Sequence, residues 1–231
     1  MNLLEVYKTF LQALGLGLCH RMPERSFAFG GVQMPVCARC QGIYIGIIVT
    51  LISLFWLYRG AQRAGLPGIP FYIGAALATV AIGIDGLGSY LGFYQTNNFA
   101  RVLTGIMFGA AMGPVIYSLL IESLAARRSP KRILDDTRAV LVWVAAIPLG
   151  LLVAYGLFPL LGPLAGGLLA DMIITTFWLI SVVLVGLHPR FRQRIETVRD
   201  LVAPLAWALP VACGIIILCA GLQLWAMRLL V

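Results

Sequence analysis

The sequence predicts an all-α protein: a polytopic helical membrane bundle of six or seven transmembrane helices. Three observations carry this. Of 231 residues, 61% are hydrophobic and 11% charged, more apolar surface than one soluble core hides. The apolar residues fall in runs of about 20, the length that crosses a bilayer. Lys and Arg collect in alternate connectors between those runs.

Taken in chain order, Leu3 to Leu18 comes first and carries Glu5 and Lys8. It fits a seventh, short span in preference to an amphipathic helix in the interface. It lacks the charged start and the small-residue cleavage site of a signal peptide. Residues 19–41 form the longest stretch outside the apolar runs. Spans are then expected at Gly42 to Tyr58, Ile69 to Phe93, Val102 to Ala125, Val140 to Leu161, Leu164 to Leu187 and Leu201 to Leu224. Residues 1–231 read as a single integral membrane domain, with 19–41 as its Cys/His segment, 42–125 as the motif-bearing spans and 139–231 as the C-terminal spans. The spacings Gly42 to Gly46 and Gly105 to Gly109 are those that let two membrane helices approach closely.

Eleven cations fall in the connectors after the first, third and fifth of these spans: Arg59 and Arg63, then Arg127, Arg128, Lys131, Arg132 and Arg138, then Arg190, Arg192, Arg194 and Arg199. Short loops that keep their cations stay in the cytoplasm, so the expected location is a cytoplasmic membrane with the cysteine-rich segment facing outward. Arg21, Arg25, Arg39 and Arg101 remain on the outer side and ask for an explanation. The net charge of +8 is the topology signal itself and implies no nucleic acid partner. Nucleotide-binding loops, paired-histidine metalloprotease motifs and serine nucleophile elbows are all absent from the sequence.

The chemistry gathers in CHRMPERSFAFGGVQMPVCARC. Cys37-Ala-Arg-Cys40 has the spacing that brings two thiolates of one tight turn to a single metal ion, and Cys19 or His20 would complete the shell. Zinc is the natural ion. Four protein ligands would make a closed, structural site; three plus water or substrate would make an open, catalytic one. Two other uses of the same residues compete: a thiol oxidoreductase passing electrons to a quinone, with Arg39 favouring thiolate, and a plain disulfide or zinc staple. Cys213 and Cys219, in the last span, are expected to be buried small residues.

The runs CHRMPERSF, PVCARCQGIYIG, GIDGLGSY and TNNFARVLTGIMFG, together covering Cys19 to Gly109, resemble a prokaryotic family of predicted polytopic membrane proteins of unknown function. The resemblance implies that the Cys-His-Arg and Cys-x-Arg-Cys elements belong with the intramembrane aspartate and the Asn/Arg/Thr cluster. It supplies no reaction.

Asp85 and Asp171 both fall within spans, toward the outer side, so that they could face one another. An acid in a span costs several kcal/mol unless paired or hydrated, which makes each a candidate for function. For Asp171 a structural ion pair is preferred. Asp85 is placed in the working site because Gly83, Gly86 and Gly88 allow close approach around it. Asn97 and Arg101 in the following turn, with Arg21 and Arg39, complete the expected catalytic set, and converging guanidiniums suit phosphate or carboxylate. The expected function is therefore a membrane enzyme with an outer-side zinc site of Cys19, His20, Cys37 and Cys40, acting on a lipid-linked or amphipathic anionic substrate among membrane lipids. The alternatives are the quinone-linked oxidoreductase and a transporter or accessory subunit with structural cysteines.

Overall fold

The computed structural model describes residues 2–19, 22–59, 61–126, 128–193, 195, 196 and 198–229. His20, Arg21, Arg127 and Arg194 lie outside the described residues. Helix α1 (Leu3–Leu16) leads into a two-stranded antiparallel hairpin, β1 (Ala28–Phe29) and β2 (Val32–Gln33). The first crossing is α2 (Ala38–Tyr58), followed by β3 (Arg63–Gly65), α3 (Ile69–Tyr90), α4 (Asn98–Leu124) and β4 (Ser129–Arg132). The fourth crossing, Thr137–Leu161, is built from α5 (Thr137–Leu152), a π-helical turn over Val153–Leu157, and α6 (Phe158–Leu161). Helices α7 (Leu164–Gly186) and α8 (Val202–Leu229) complete the chain.

Among the described residues six segments are long and apolar enough to cross a membrane, and they coincide with the six expected runs. The beginnings differ. Helix α2 starts at Ala38 and α4 at Asn98, each four residues ahead of the apolar run, so Arg39, Cys40 and Arg101 sit in first helical turns. Hydropathy alone stops at a charge, whereas the backbone continues to a capping residue. Asn97 accepts from the Ala100 N–H at 2.8 Å, and Asp136 caps α5 on the Ala139 N–H in the same way.

The seventh crossing expected at Leu3 to Leu18 is not among the six. Helix α1 has 14 residues, a rise of about 21 Å against the roughly 30 Å of a hydrocarbon core. It lies at the cysteine end of the bundle. Tyr7 donates to the Pro163 carbonyl at 2.7 Å, Leu11 packs on Gly166, and Gly17 abuts Ala220 of α8. Its other face, with Leu3, Val6 and Phe10, is apolar and exposed, as suits a helix lying against lipid.

Helices α2 and α4 form the centre and run parallel, in near-backbone contact. A Cβ on Gly105 would overlap the Arg39 carbonyl oxygen and one on Gly109 the Ile43 carbonyl oxygen; reciprocally, one on Gly42 or Gly46 would meet the carbonyls of Val102 or Ile106. The two small-residue spacings read from the sequence therefore mesh with each other. Helix α3 packs on α4, α5 on α2 and α4, α7 on both central helices, and α8 on α7. Lipid meets the exposed stripe Ile73, Leu77, Val80, Ile84 and Leu87 of α3 and the outer faces of the fourth and sixth crossings.

The hairpin is not a solvated loop. Gly30 and Gly31 turn it with φ of 56° and 75°, values that ordinary side chains resist, and Gly30 sits directly against Pro163. Val32, Met34 and Val36 are fully buried among Phe158, Leu169 and Ile173. Phe27 meets Tyr155 edge-on at 5.7 Å, and Phe29 meets Phe158 at 6.3 Å. Tyr155 belongs to the π turn, whose extra residue in the helical repeat turns that ring toward the hairpin and toward Phe99.

Replacing Gly109 by Val should part α2 from α4 and cost at least about 3 kcal/mol, the upper range for overpacking. Gly83→Ala, where a Cβ meets nothing within 4 Å, should move the melting temperature little. Thermal unfolding of the two variants in the same detergent checks the contrast.

Candidate metal centre and the arginine cluster

Cys37 occupies the N-cap of α2, and Cys40 stands in the first turn of the same helix. A Cys-x-x-Cys pair in this position shares the positive end of a long helix, which favours thiolate. The third sulfur arrives from 18 residues upstream: α1 ends at Leu16, the backbone N–H of Cys19 still bonds to the Gly15 carbonyl, and Cys19 Sγ then accepts from the Cys37 backbone N–H at 3.3 Å. The three Sγ atoms all lie within 4.8 Å of one another, so Cys19, Cys37 and Cys40 form a group that could hold a metal ion. All three are half-buried. The Cys19 sulfur beside it holds the Cys37 thiol above its ordinary value, with burial adding to the effect. His20, the other expected ligand, lies outside the described residues.

One residue on, Arg39 reaches to α3. Its Nε donates to Asp85 Oδ2 at 2.7 Å, and its Nη2 lies 2.5 Å from the same oxygen and 2.9 Å from the Asp85 carbonyl. Ser89 Oγ completes the fork at 3.4 Å. Asp85 is 4% exposed, so this is a buried, charge-assisted contact. Thr104 stands 3.5 Å from the same carboxylate oxygen, but its single hydroxyl proton has a closer acceptor in the Ala100 carbonyl at 2.9 Å.

The partner of Asp85 is Arg39, one of the arginines the sequence puts in its set. Several expectations change here. Asp85 and Asp171 do not face one another: Asp85 is buried against α2, whereas Asp171 is exposed on the outside of α7. Helix α3 ends at Tyr90, which puts Asp85 only about 8 Å from its end. Of the three glycines around Asp85, Gly88 receives the Tyr94 ring, Gly86 leaves room for Arg39, and Gly83 meets nothing. Asn97, expected in the working set, is occupied in capping α4. Cys213 is exposed on α8, and only Cys219 is partly covered.

Arg101 is the outlier. It is 8% exposed, and its Nη1 donates to Asn98 Oδ1 at 2.9 Å. Among the described residues its buried Nε has no hydrogen-bond partner, and the charged groups that bear on it include Arg25, Arg39 and Asp85. Arg25, Arg39 and the three cysteines line one cavity of about 540 Å³, closed on other sides by Leu18, Met22, Gly86 and Tyr90. The sequence places Arg25 on the outer side without assigning it to the site, and it does not single out Ser89. For Arg25 the signal was its place within the cysteine segment; for Ser89 it was the four-residue spacing from Asp85 on one helix face.

Six apolar crossings arranged around a glycine-lined helix pair define an integral, polytopic helical membrane protein. The chain belongs to the family described as Predicted membrane protein (DUF2085), whose model matches residues 19–115. An uncharacterized protein of Methanothermobacter thermautotrophicus is 34% identical over 95 residues, which are 41% of this chain and 80% of that one. An uncharacterized protein of Methanocaldococcus jannaschii is 32% identical over 107 residues, 46% of this chain and 66% of its own length. No solved structure matches. The matched region is the cysteine segment with α2, α3 and most of α4, the part that carries the sulfurs, Arg39, Asp85 and Arg101.

Removing one member of the Arg39–Asp85 pair should destabilise more than removing both. Asp85→Asn strands a buried guanidinium at a cost of about 3 kcal/mol, whereas Arg39→Gln combined with Asp85→Asn should recover part of that loss. Melting curves of the two single variants and the double decide it.

Proposed function

We propose that Cys19, Cys37 and Cys40 hold a zinc ion and that the adjoining cavity is the working site of a membrane-embedded, metal-dependent enzyme acting on an amphipathic or lipid-linked anionic substrate. One observation supports this above the rest: the three thiols line the same 540 Å³ cavity as Arg25 and Arg39, so a fourth coordination position would open toward space that a substrate can enter. The donor set suits zinc. With Zn–S bonds of about 2.3 Å, tetrahedral sulfurs stand about 3.8 Å apart, a small contraction from mutual separations within 4.8 Å. An ion there supplies Lewis acidity at neutral pH. The chain's own part is to set the first turn of α2 so that its dipole favours the thiolates, to keep Arg39 in place through Asp85, and to line the remaining walls with Leu18, Met22 and Tyr90. The thiol-redox alternative, with a quinone as electron acceptor, draws on the Cys-x-x-Cys at a helix start. It is the weaker reading because three sulfurs converge here, one more than a Cys37–Cys40 disulfide uses.

Protein purified without chelators should contain close to one zinc per chain by elemental analysis, and Cys37→Ser or Cys40→Ser should lose it. A metal-free wild-type protein with an oxidised Cys37–Cys40 pair would hand the site to the redox reading. Because the ion must displace protons from thiols, one of them raised, affinity should climb with pH by about tenfold per unit for each proton displaced and be lost on acidification. A competitive chelator titration across neutral pH reads this out.

We further propose that the protein resides in a prokaryotic cytoplasmic membrane with the cationic end inward and the cysteine end outward, from the eleven cations of the connectors. Single cysteines at Glu24 and Gln95, in a background with the native thiols replaced, should label from outside, and those at Asp135 and Arg192 only after permeabilisation. Met34 is fully buried and unsuitable as a probe.

A further inference from the structure

Three described guanidiniums converge at the cysteine end, Arg25, Arg39 and Arg101, with Asp85 as the acid among them. Arg39 holds one carboxylate oxygen of Asp85, Oδ2, together with its backbone carbonyl. Among the described residues, neither Arg25 nor Arg101 lies within salt-bridge distance of a carboxylate. Arg101 is nine-tenths buried, its Nε has no hydrogen-bond partner among the described residues, and Arg25 is one of the charges that bear on it. Two neighbouring cations, one of them desolvated, are unfavourable by burial and by mutual repulsion unless an anion joins them.

The geometry points to a phosphate-bearing ligand held by Arg25 in the wall of the cysteine-lined cavity, with Arg101, one helical turn from the Thr104 that stands beside Asp85, as the second cation. This inference rests on the proposed substrate site and narrows its substrate class to phosphoesters. Two guanidiniums match the two negative charges and several acceptor oxygens of a phosphate monoester better than the single charge of a carboxylate. Arg101 stands in the first turn of α4 and Arg25 in the segment ahead of α2, which places the anion at the end of the crossings, where lipid phosphates lie, and its apolar part beside Leu18, Met22 and Tyr90. Arg39 is a positioning residue in this scheme: held by Asp85, it sets one wall of the cavity without being spent on the ligand.

The test is binding by the full-length protein of inorganic phosphate, measured by calorimetry, and of phosphatidic acid presented in phosphatidylcholine nanodiscs, measured by native mass spectrometry, with zinc content read on every sample. Wild type should bind at least one probe, Arg25→Gln should weaken it about tenfold, Arg101→Gln should weaken it further, and Arg101→Lys should recover part. Arg190→Gln, an exposed cation at the other end, should change nothing. Capture of phosphatidic acid with no response to inorganic phosphate assigns a lipid headgroup; the converse assigns a soluble phosphate compound. If neither probe binds, or if Arg25→Gln binds as wild type does, while zinc stays in place, this inference is overturned and the metal reading stands. Phosphate binding by a protein that holds no zinc would uphold the anion site and sink the metal enzyme. Should Arg101→Gln fail to fold, the Arg25→Gln comparison decides alone.

Discussion

Everything at the cysteine end depends on the contact between α2 and α4. In lipid no hydrophobic force draws two helices together, so they associate where backbones approach closely and pack well. Gly42 and Gly46 on one helix and Gly105 and Gly109 on the other give that approach, with carbonyl oxygens of each helix resting where the partner lacks a Cβ. Because the seam sets Gly42 against Gly105, the fifth residue of α2 meets the eighth of α4, and α4 starts about one turn ahead of α2. That register brings the N-cap cysteine, Arg39, Arg101 and Thr104 to one end of the bundle. A slip of one turn would separate the sulfurs and guanidiniums by about 5 Å.

A second constraint attaches α3. This helix turns much of its surface to lipid and packs chiefly on α4, so little apolar burial fixes its depth. The Arg39–Asp85 contact supplies a specific register instead, a polar latch between α2 and α3 that reaches carboxylate, carbonyl and the Ser89 hydroxyl in one fork. Such a pair contributes little net stability once desolvation is counted, and its value lies in specifying one arrangement. Here the arrangement it specifies is the wall of a cavity.

The crossings were legible because a bilayer imposes one length and one polarity on every spanning helix. The ends were less so, since a capping Asn97 or Asp136 extends a helix past the apolar run that hydropathy detects. The sulfur trio was legible from spacing: two positions of one helical turn and a third from an adjacent chain segment. Partners across space were not. Nothing in the order of residues distinguishes Arg39 from Arg101 as the mate of Asp85, because that choice is made by the rotation of α3 on α4. Burial of the hairpin was also hidden: its alternation is only four strand residues long, and the surface that covers it comes from α6 and α7, more than a hundred residues away.

That covering surface divides the molecule in an instructive way. The 95 residues shared with the Methanothermobacter relative make up 80% of that chain and only 41% of this one. In the present protein the inward side chains of the hairpin, Val32 and Met34, rest on Phe158, Leu169 and Ile173 from the second half. A chain without those helices would have the same apolar knuckle and no socket for it. The later helices here supply that socket, so they act as a built-in partner fused in sequence.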